Sequence, residues 1–157
     1  EYPYQSRPFI RILFNRIVIV DIVYTTKSKY IKCVADEMAR WVKTHAQDLN
    51  YYHSDHVVDL LVIGFDDTLF EDKQLFEFIQ SLNRQNVKNV ALINCFFTNN
   101  KRLMKVIHLC QNKQLPLMRE QYTFKMSFEQ RKEINPTIID NARLYIEDMV
   151  NVIRDYY

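Results

Sequence analysis

Glycine is almost absent from this chain, which has one glycine in 157 residues. At an average usage of about 7%, a chain of this length would carry roughly eleven. Motifs in which several glycines let the backbone curl around phosphate groups are therefore excluded, including the Walker loop and the dinucleotide fingerprint.

Cysteine pairs, long apolar runs and a strong net charge are also lacking. Cys33, Cys95 and Cys110 form no CxxC pair, so we expect neither a disulfide framework nor a zinc knuckle, and we expect a cytoplasmic location. Arg16 and Asp21 interrupt the richest apolar stretch, which excludes a membrane span of about 20 residues. The net charge of +2 predicts no nucleic-acid or membrane partner.

What the chain does have is a regular alternation of two hydrophobic patterns. β-branched apolar runs predict strands, and stripes with helical spacing predict helices between them. The predicted strands are 16–24, a short one at 49–52, 57–64, 87–97 and a less clear one within 115–126, and the helical stripes lie at 31–42, 75–82, 103–110 and 139–153. This alternation predicts one α/β domain, doubly wound, with a parallel sheet and helices on both faces.

The N-terminal residues stand apart from this alternation. Residues 1–15 carry two prolines and are predicted to form an arm or an extra strand, while residues 16–157 form the domain.

In an open parallel sheet, ligands bind outside the carboxyl ends of the strands. The loop after the first strand places three hydroxyls and two cations before a helix, in Thr25, Thr26, Lys27, Ser28 and Lys29. Free amides and the positive end of a helix dipole attract an anion, so this loop suggests phosphate binding. The alternative, with even weight, is that the hydroxyls cap the helix and the lysines are solvated.

Aromatic residues follow the next two core strands. Phe65 on one side, and Phe96 and Phe97 on the other, could sandwich a planar heterocycle. Phenylalanines beside core strands more often fill the end of the core, and we favour that interpretation. Cys95 is interpreted in the same way, as a buried small apolar residue.

No catalytic residue and no metal ligand is predicted. The chain has no nucleophile elbow, and His53, His56 and Asp55, the one histidine cluster, are best explained as a solvated loop. Whether the protein is an enzyme stays open.

Several of these segments resemble flavodoxins. Residues 22–35 are similar to the family's opening strand, its Ser/Thr-x-Thr-Gly-Asn-Thr phosphate loop and its first helix. Residues 59–64 and 74–82 resemble the third strand and the following helix, and Asn135, Pro136 and Thr137 resemble the start of the last helix. The resemblance implies a five-stranded sheet in the order 2-1-3-4-5.

The resemblance also implies FMN as cofactor, electron transfer or a reductase component as function, and a redox protein as partner. The residues implied in FMN binding are, for the phosphate, Thr25, Thr26, Lys27, Ser28, Lys29 and Tyr30 and, for the ring, Phe65, Asp66, Phe96 and Phe97. A carboxylate at Asp66 would disfavour the anionic reduced flavin.

The phosphate loop departs from the family at three positions. Lys29, Tyr30 and Ile31 stand where flavodoxins have Gly, Asn and Thr. A side chain in place of that glycine makes a positive φ costly, by ~1 kcal/mol or more. The alternative function is therefore a flavin-free interaction or scaffold module on the same fold, and whether it forms a homodimer stays open.

A phosphoacceptor receiver domain shares the strand order and is the third, least favoured, hypothesis. Asp66, Thr98 and Lys125 would suit it. Its magnesium site needs a pair of acids after the first strand, where this chain has Tyr24 and Thr25.

Overall fold

The computed structural model describes residues 17–25, 28–68, 72–126 and 134–156. Within them the chain forms a parallel sheet of five strands in the order β2-β1-β3-β4-β5. The strands are β1 Val20–Tyr24, β2 Ala46–Asp48, β3 Leu60–Asp67, β4 Val90–Phe96 and β5 Tyr122–Lys125. The predicted fold class and strand order are confirmed, while the arm or strand predicted for 1–15 lies outside the described residues.

Four helices connect or follow these strands within the described residues and cover both faces of the sheet. They are α1 Lys29–Trp41, α2 Lys73–Ser81, α3 Lys101–Asn112 and α4 Pro136–Tyr156. One core, which we call the first core, packs α1 and α4 on the sheet, and the second core packs α2 and α3 on the other face. Each helix therefore buries the apolar stripe seen in its sequence against one face of the sheet, two helices on each face.

The single glycine is explained by the close approach of a helix to the sheet. A Cβ atom added to Gly64 in β3 would lie 2.7 Å from Cγ2 of Ile31, whose side chain is fully buried. The absence of a side chain at this position therefore lets the first turn of α1 pack directly on β3. Gly64 has no positive φ, so it is not needed for a turn. Its role is to allow close packing of a helix on a strand, as one glycine does in dinucleotide-binding folds.

Several predicted boundaries are corrected by the structure. The short strand predicted at 49–52 is instead Ala46–Asp48, and Leu49–Tyr51 forms a 3₁₀ turn that Asp48 caps by accepting from the amide of Asn50 at 2.9 Å. Leu49 is buried through this turn, which produced the apolar signal in the sequence. β3 continues three residues past Gly64 to Asp67, so Phe65 and Asp66 belong to a strand and not to a loop.

None of the helices in the described part of the chain has the length and apolar character that crossing a membrane would require.

Candidate functional site

The carboxyl ends of β1, β3 and β4 meet at one edge of the sheet, as the parallel topology requires. Tyr24 pairs with Gly64, and Asp67 pairs with Phe96. The described residues proposed from the sequence for the candidate site all lie at this edge or at the start of α1. Thr26 and Lys27 lie outside the described residues.

Thr25 is the predicted site residue with unused hydrogen-bonding capacity. Its amide donates to the carbonyl of Gly64 at 3.0 Å, which extends the β1–β3 pairing by one residue. Its hydroxyl Oγ1 is buried and has no hydrogen-bond partner among the described residues. Because an unsatisfied buried hydroxyl costs about 1–3 kcal/mol, this atom marks a place where a hydrogen-bonding ligand would be stabilising.

Ser28 is engaged in capping, as one of the two sequence interpretations expected. Its Oγ accepts from the amide of Ile31 at 3.3 Å and lies 3.9 Å from Sγ of Cys95. The carbonyl of Ser28 accepts from the amide of Lys32 at 3.1 Å. The hydroxyl of Ser28 is therefore committed to the protein and not presented to a ligand.

Lys29 and Tyr30 come before Ile31, the first residue of α1 whose amide is bonded to Ser28. No described residue accepts a hydrogen bond from the amides of Lys29 and Tyr30. The first turn of α1 contains no acidic residue, and the side chain of Lys29 is exposed. Unpaired amides at the positive end of a helix dipole, beside a cation, favour an anion. Tyr30 is half-buried against the first core, so its ring is part of the packing.

The aromatic residues are not equally placed for stacking. Phe65 has no exposed surface and lies in the second core. The expectation that Phe65 contacts a flavin ring is therefore corrected, because the strand directs this side chain toward α2 and α3. Phe96 and Phe97 are half-buried, and Phe97 packs against the first core.

Asp66 is a buried carboxylate at this edge. It pairs in register with Cys95, and its Oδ1 lies 3.6 Å from Nη1 of Arg102. Burial raises the pKa of Asp66, and the nearby Arg102 guanidinium opposes that shift. A carboxylate held in this way against an arginine is not presented to accept a phosphoryl group, which removes support for the receiver hypothesis.

Arg102 and Asp67 join the end of β3 to the start of α3, and sequence reasoning missed this junction. The side chain of Arg102 donates to the carbonyl of Asp66 at 2.7 Å and to Thr68 at 3.4 Å. The carboxylate of Asp67 accepts from the amides of Arg102 and Leu103, which are in the first turn of α3.

Asn94 of β4, the neighbouring strand, also contacts this junction. Its Nδ2 donates to Asp67 at 3.0 Å, while its Oδ1 is buried and has no partner among the described residues. The signal in the sequence was a polar residue inside an apolar strand and two acids at the end of another strand. Nothing local links the first of these acids, Asp66, to Arg102, which lies 36 positions later.

The two buried cysteines are not nucleophiles. Burial raises the pKa of Cys95 to about 12 and that of Cys110 to about 11. The thiolate is the reactive form, so both are inert near neutral pH. In the described part of the chain no group of three or more His, Cys, Asp or Glu residues is arranged to hold a metal ion.

Two cavities lie away from this edge, beside the C-terminal half of α4. One, of about 550 Å³, lies between α4 and the segment before β5, with Met118, Glu120 and Tyr156 in its lining. The other, of about 670 Å³, lies between α4 and the end of α1, lined in part by Ile17 and Trp41. Neither cavity is lined by a residue that the sequence analysis proposed for FMN binding.

No protein-family model matches this chain, and no curated protein matches its sequence. Solved structures do match it, with low sequence identity and high coverage. A flavodoxin from the domain Archaea aligns with 87% of this chain and 99% of its own length, at 9% identity and a TM-score of 0.66. Oxidised Flavodoxin 2 from Bacillus cereus aligns with 86% of this chain and 98% of its own, at 10% identity and a TM-score of 0.61.

The Flv1 flavodiiron core from Synechocystis sp. PCC6803 aligns with 99% of this chain and 40% of its own length, at 6% identity and a TM-score of 0.68. Identities this low speak for the fold and not for the site. Strand order, helix placement and these neighbours together show that the chain has a flavodoxin-like fold.

Proposed function

We propose that this protein binds FMN at the carboxyl edge of its sheet and serves as an electron carrier or as a component of a reductase. The observation that carries the proposal is the buried hydroxyl of Thr25, which has no partner among the described residues, beside a first turn of α1 whose leading amides no described residue accepts from. The flavodoxin-like fold and its flavodoxin neighbours add support. When bound, FMN would supply the redox chemistry, and the protein would supply binding and tuning.

The residues at this edge fit the phosphate group better than they fit the ring. For the phosphate, the chain offers the Thr25 hydroxyl, the amides of Lys29 and Tyr30 and the charge of Lys29. For the ring, Phe96 retains exposed surface, whereas Phe65 is buried. We therefore expect phosphate contacts to contribute more of the affinity than ring stacking.

The direct test is a titration of the purified protein with FMN, followed by quenching of flavin fluorescence. Thr25→Val keeps the shape of the side chain and removes the hydroxyl, so we expect it to weaken FMN binding by about tenfold, a typical loss for a hydrogen bond to a charged group. Thr123→Val, at an exposed position in the edge strand β5, is the matched control and should bind as the wild type does. Absence of quenching by wild-type protein at millimolar FMN would reject the proposal.

The second candidate is a flavin-free interaction module, and the amino edge of the sheet favours it. Ile17 is 87% exposed and Trp41 is 52% exposed, and both line the larger cavity. Exposed apolar side chains around a groove are typical of protein interaction sites. A colourless protein that sediments as a dimer, and that becomes monomeric after Trp41→Gln, would support this candidate.

A further inference from the structure

Asp66 introduces a negative charge beside the start of α1. Its side chain is 11% exposed, and its register partner in β4 is Cys95. Sγ of Cys95 lies 3.9 Å from Oγ of Ser28, the residue that caps α1. Asp66 thus lies on the same face of the sheet as α1, whose first two amides have no acceptor among residues 17–25 and 28–68 or the other described segments.

The charge of Asp66 is only partly offset. Arg102 lies 3.6 Å from its carboxylate, but the shorter bond of the guanidinium, at 2.7 Å, goes to the backbone carbonyl of Asp66. Burial, together with the charges of Asp72 and Asp67, raises the pKa of Asp66 against the effect of Arg102. The environment therefore disfavours the charged form of Asp66, and a second negative charge beside this carboxylate would disfavour that form further.

We infer that Asp66 limits the affinity of the α1 start for a phosphorylated ligand, and that Arg102 is the positioning residue that holds Asp66 in place and weakens its repulsion. The inference deepens the proposed function, since it takes FMN as the ligand. It makes Asp66 a determinant of specificity between phosphorylated and unphosphorylated flavins. A phosphate dianion responds to a buried charge several ångströms away, whereas neutral riboflavin does not.

The test compares the dissociation constants of FMN and riboflavin for wild type, Asp66→Asn and Asp148→Asn at one ionic strength. Asp148 is an exposed acid on α4 at the other edge of the sheet, so its variant matches the change in net charge. We expect Asp66→Asn to raise FMN affinity by about tenfold or more, because a unit charge several ångströms from a dianion repels it strongly at an effective dielectric of about 20 and the Arg102 guanidinium offsets part of that repulsion. Riboflavin affinity should stay constant in both variants.

Arg102 is tested by its own variants in the same assay. Arg102→Met should weaken FMN binding without a matching loss of riboflavin binding, and Arg102→Lys should recover part of the loss. Adding Asp66→Asn to Arg102→Met should restore FMN affinity, because the repelling charge is then gone. Equal losses for both flavins, without rescue, would show that Arg102 acts through the fold alone and would overturn its assigned role.

The outcomes separate this inference from the proposed function. If wild type does not bind FMN but Asp66→Asn does, the proposed function fails and the role of Asp66 stands. If wild type binds FMN and Asp66→Asn has the same ratio of FMN to riboflavin affinity as Asp148→Asn, the proposed function stands and the role of Asp66 is refuted. Absence of FMN binding in all variants refutes both.

Discussion

Helices α1 and α3 both begin at the carboxyl edge of the sheet, but their first turns are completed in different ways. In α3, Asn99 and Asp67 accept from the amides of Lys101, Arg102 and Leu103, so the positive end of this helix already faces a carboxylate of the chain. In α1, a neutral cap accepts from the amide of Ile31 alone, and the Thr25 hydroxyl beside it is unpartnered among the described residues.

This difference separates a helix start that the chain neutralises with its own carboxylate from one whose first amides have no described acceptor. A helix end that the protein neutralises with its own carboxylate gains little from an external anion. A helix end with a local, uncharged cap keeps free amides. The candidate site is therefore at α1 and not at α3, although both lie at the edge where parallel sheets bind ligands.

The largest effect should come from Asp67→Ala. This change removes the acceptor for two first-turn amides of α3 and leaves the buried Nδ2 of Asn94 without its partner. We expect a loss of about 2–4 kcal/mol in the free energy of unfolding, measured by urea denaturation. Ser28→Ala is the comparison at α1 and should lose only about 1 kcal/mol. Equal losses would remove the distinction between the two helix starts.

Gly64→Ala should have the next largest effect, through α1. The new methyl group would overlap Cγ2 of Ile31, a stiff, buried branch that cannot swing away. We expect a loss of about 1–3 kcal/mol, typical of overpacking. In the double variant Gly64→Ala, Ile31→Ala the overlap is gone, so its loss should be smaller than the sum of the two single losses. Additive losses would contradict close packing of α1 on β3.

Thr25→Val should change stability in the opposite direction. It replaces a buried hydroxyl, to which no residue in the described part of the chain bonds, by a methyl group, so we expect the ligand-free protein to gain about 1 kcal/mol. Thr123→Val, on the exposed surface of β5, should stay within about 0.5 kcal/mol of wild type. A destabilised Thr25→Val would mean that the hydroxyl is already satisfied, and it would close the proposed phosphate site.

The smallest effect should come from a group that touches neither helix start. His56 lies 2.6 Å from Asp55 and 3.4 Å from Asp21, and Asp21 also accepts from Tyr52 at 2.6 Å. The hydrogen bond to Asp55, with help from Asp21, raises the pKa of His56. Because the folded state holds the proton more tightly, this stability is fully present below the ordinary value of about 6.5. It is lost as the pH rises through the raised pKa.

Urea midpoints for wild type and His56→Gln at pH 5.5 and pH 9 check this sign. The two proteins should differ by less than about 1 kcal/mol at pH 5.5, the range of exposed ion pairs, and less still at pH 9. His53→Gln, on the same exposed segment, is the control. A difference that grows with pH would contradict the assigned direction.

Local patterns in the sequence were enough for the elements that flank the site. The change at Ser28 from a nearly continuous apolar run to helical spacing predicted both the end of β1 and the cap of α1, because both signals depend on neighbouring residues. The strand bounds were less accurate. Burial of Leu49 in a 3₁₀ turn produced the same apolar signal as a short strand, so the sequence could not separate the two.

Local patterns could not predict which charged residues meet at the site. Arg102 was part of a helix in the sequence, and only packing brings it to Asp66 and Thr68. Phe65 and Phe96 looked equivalent as aromatic residues at strand ends, but one lies in the second core and the other keeps exposed surface. Parallel pairing places both side chains on the face of the second core, because Phe96 pairs with Asp67, two residues beyond Phe65. They differ in depth, since Phe65 lies within that core whereas Phe96 is the last residue of β4.

The sequence by itself determined the alternation of strands and helices, since hydrophobic period is a property of neighbouring residues. It also determined that no glycine-built phosphate loop exists. Only the tertiary structure decided that Asp67 accepts from the first amides of α3, whereas no described residue accepts from the amides of Lys29 and Tyr30 or bonds to the hydroxyl of Thr25. These features depend on which groups meet across the sheet, and contacts between distant residues exist only once the chain is packed.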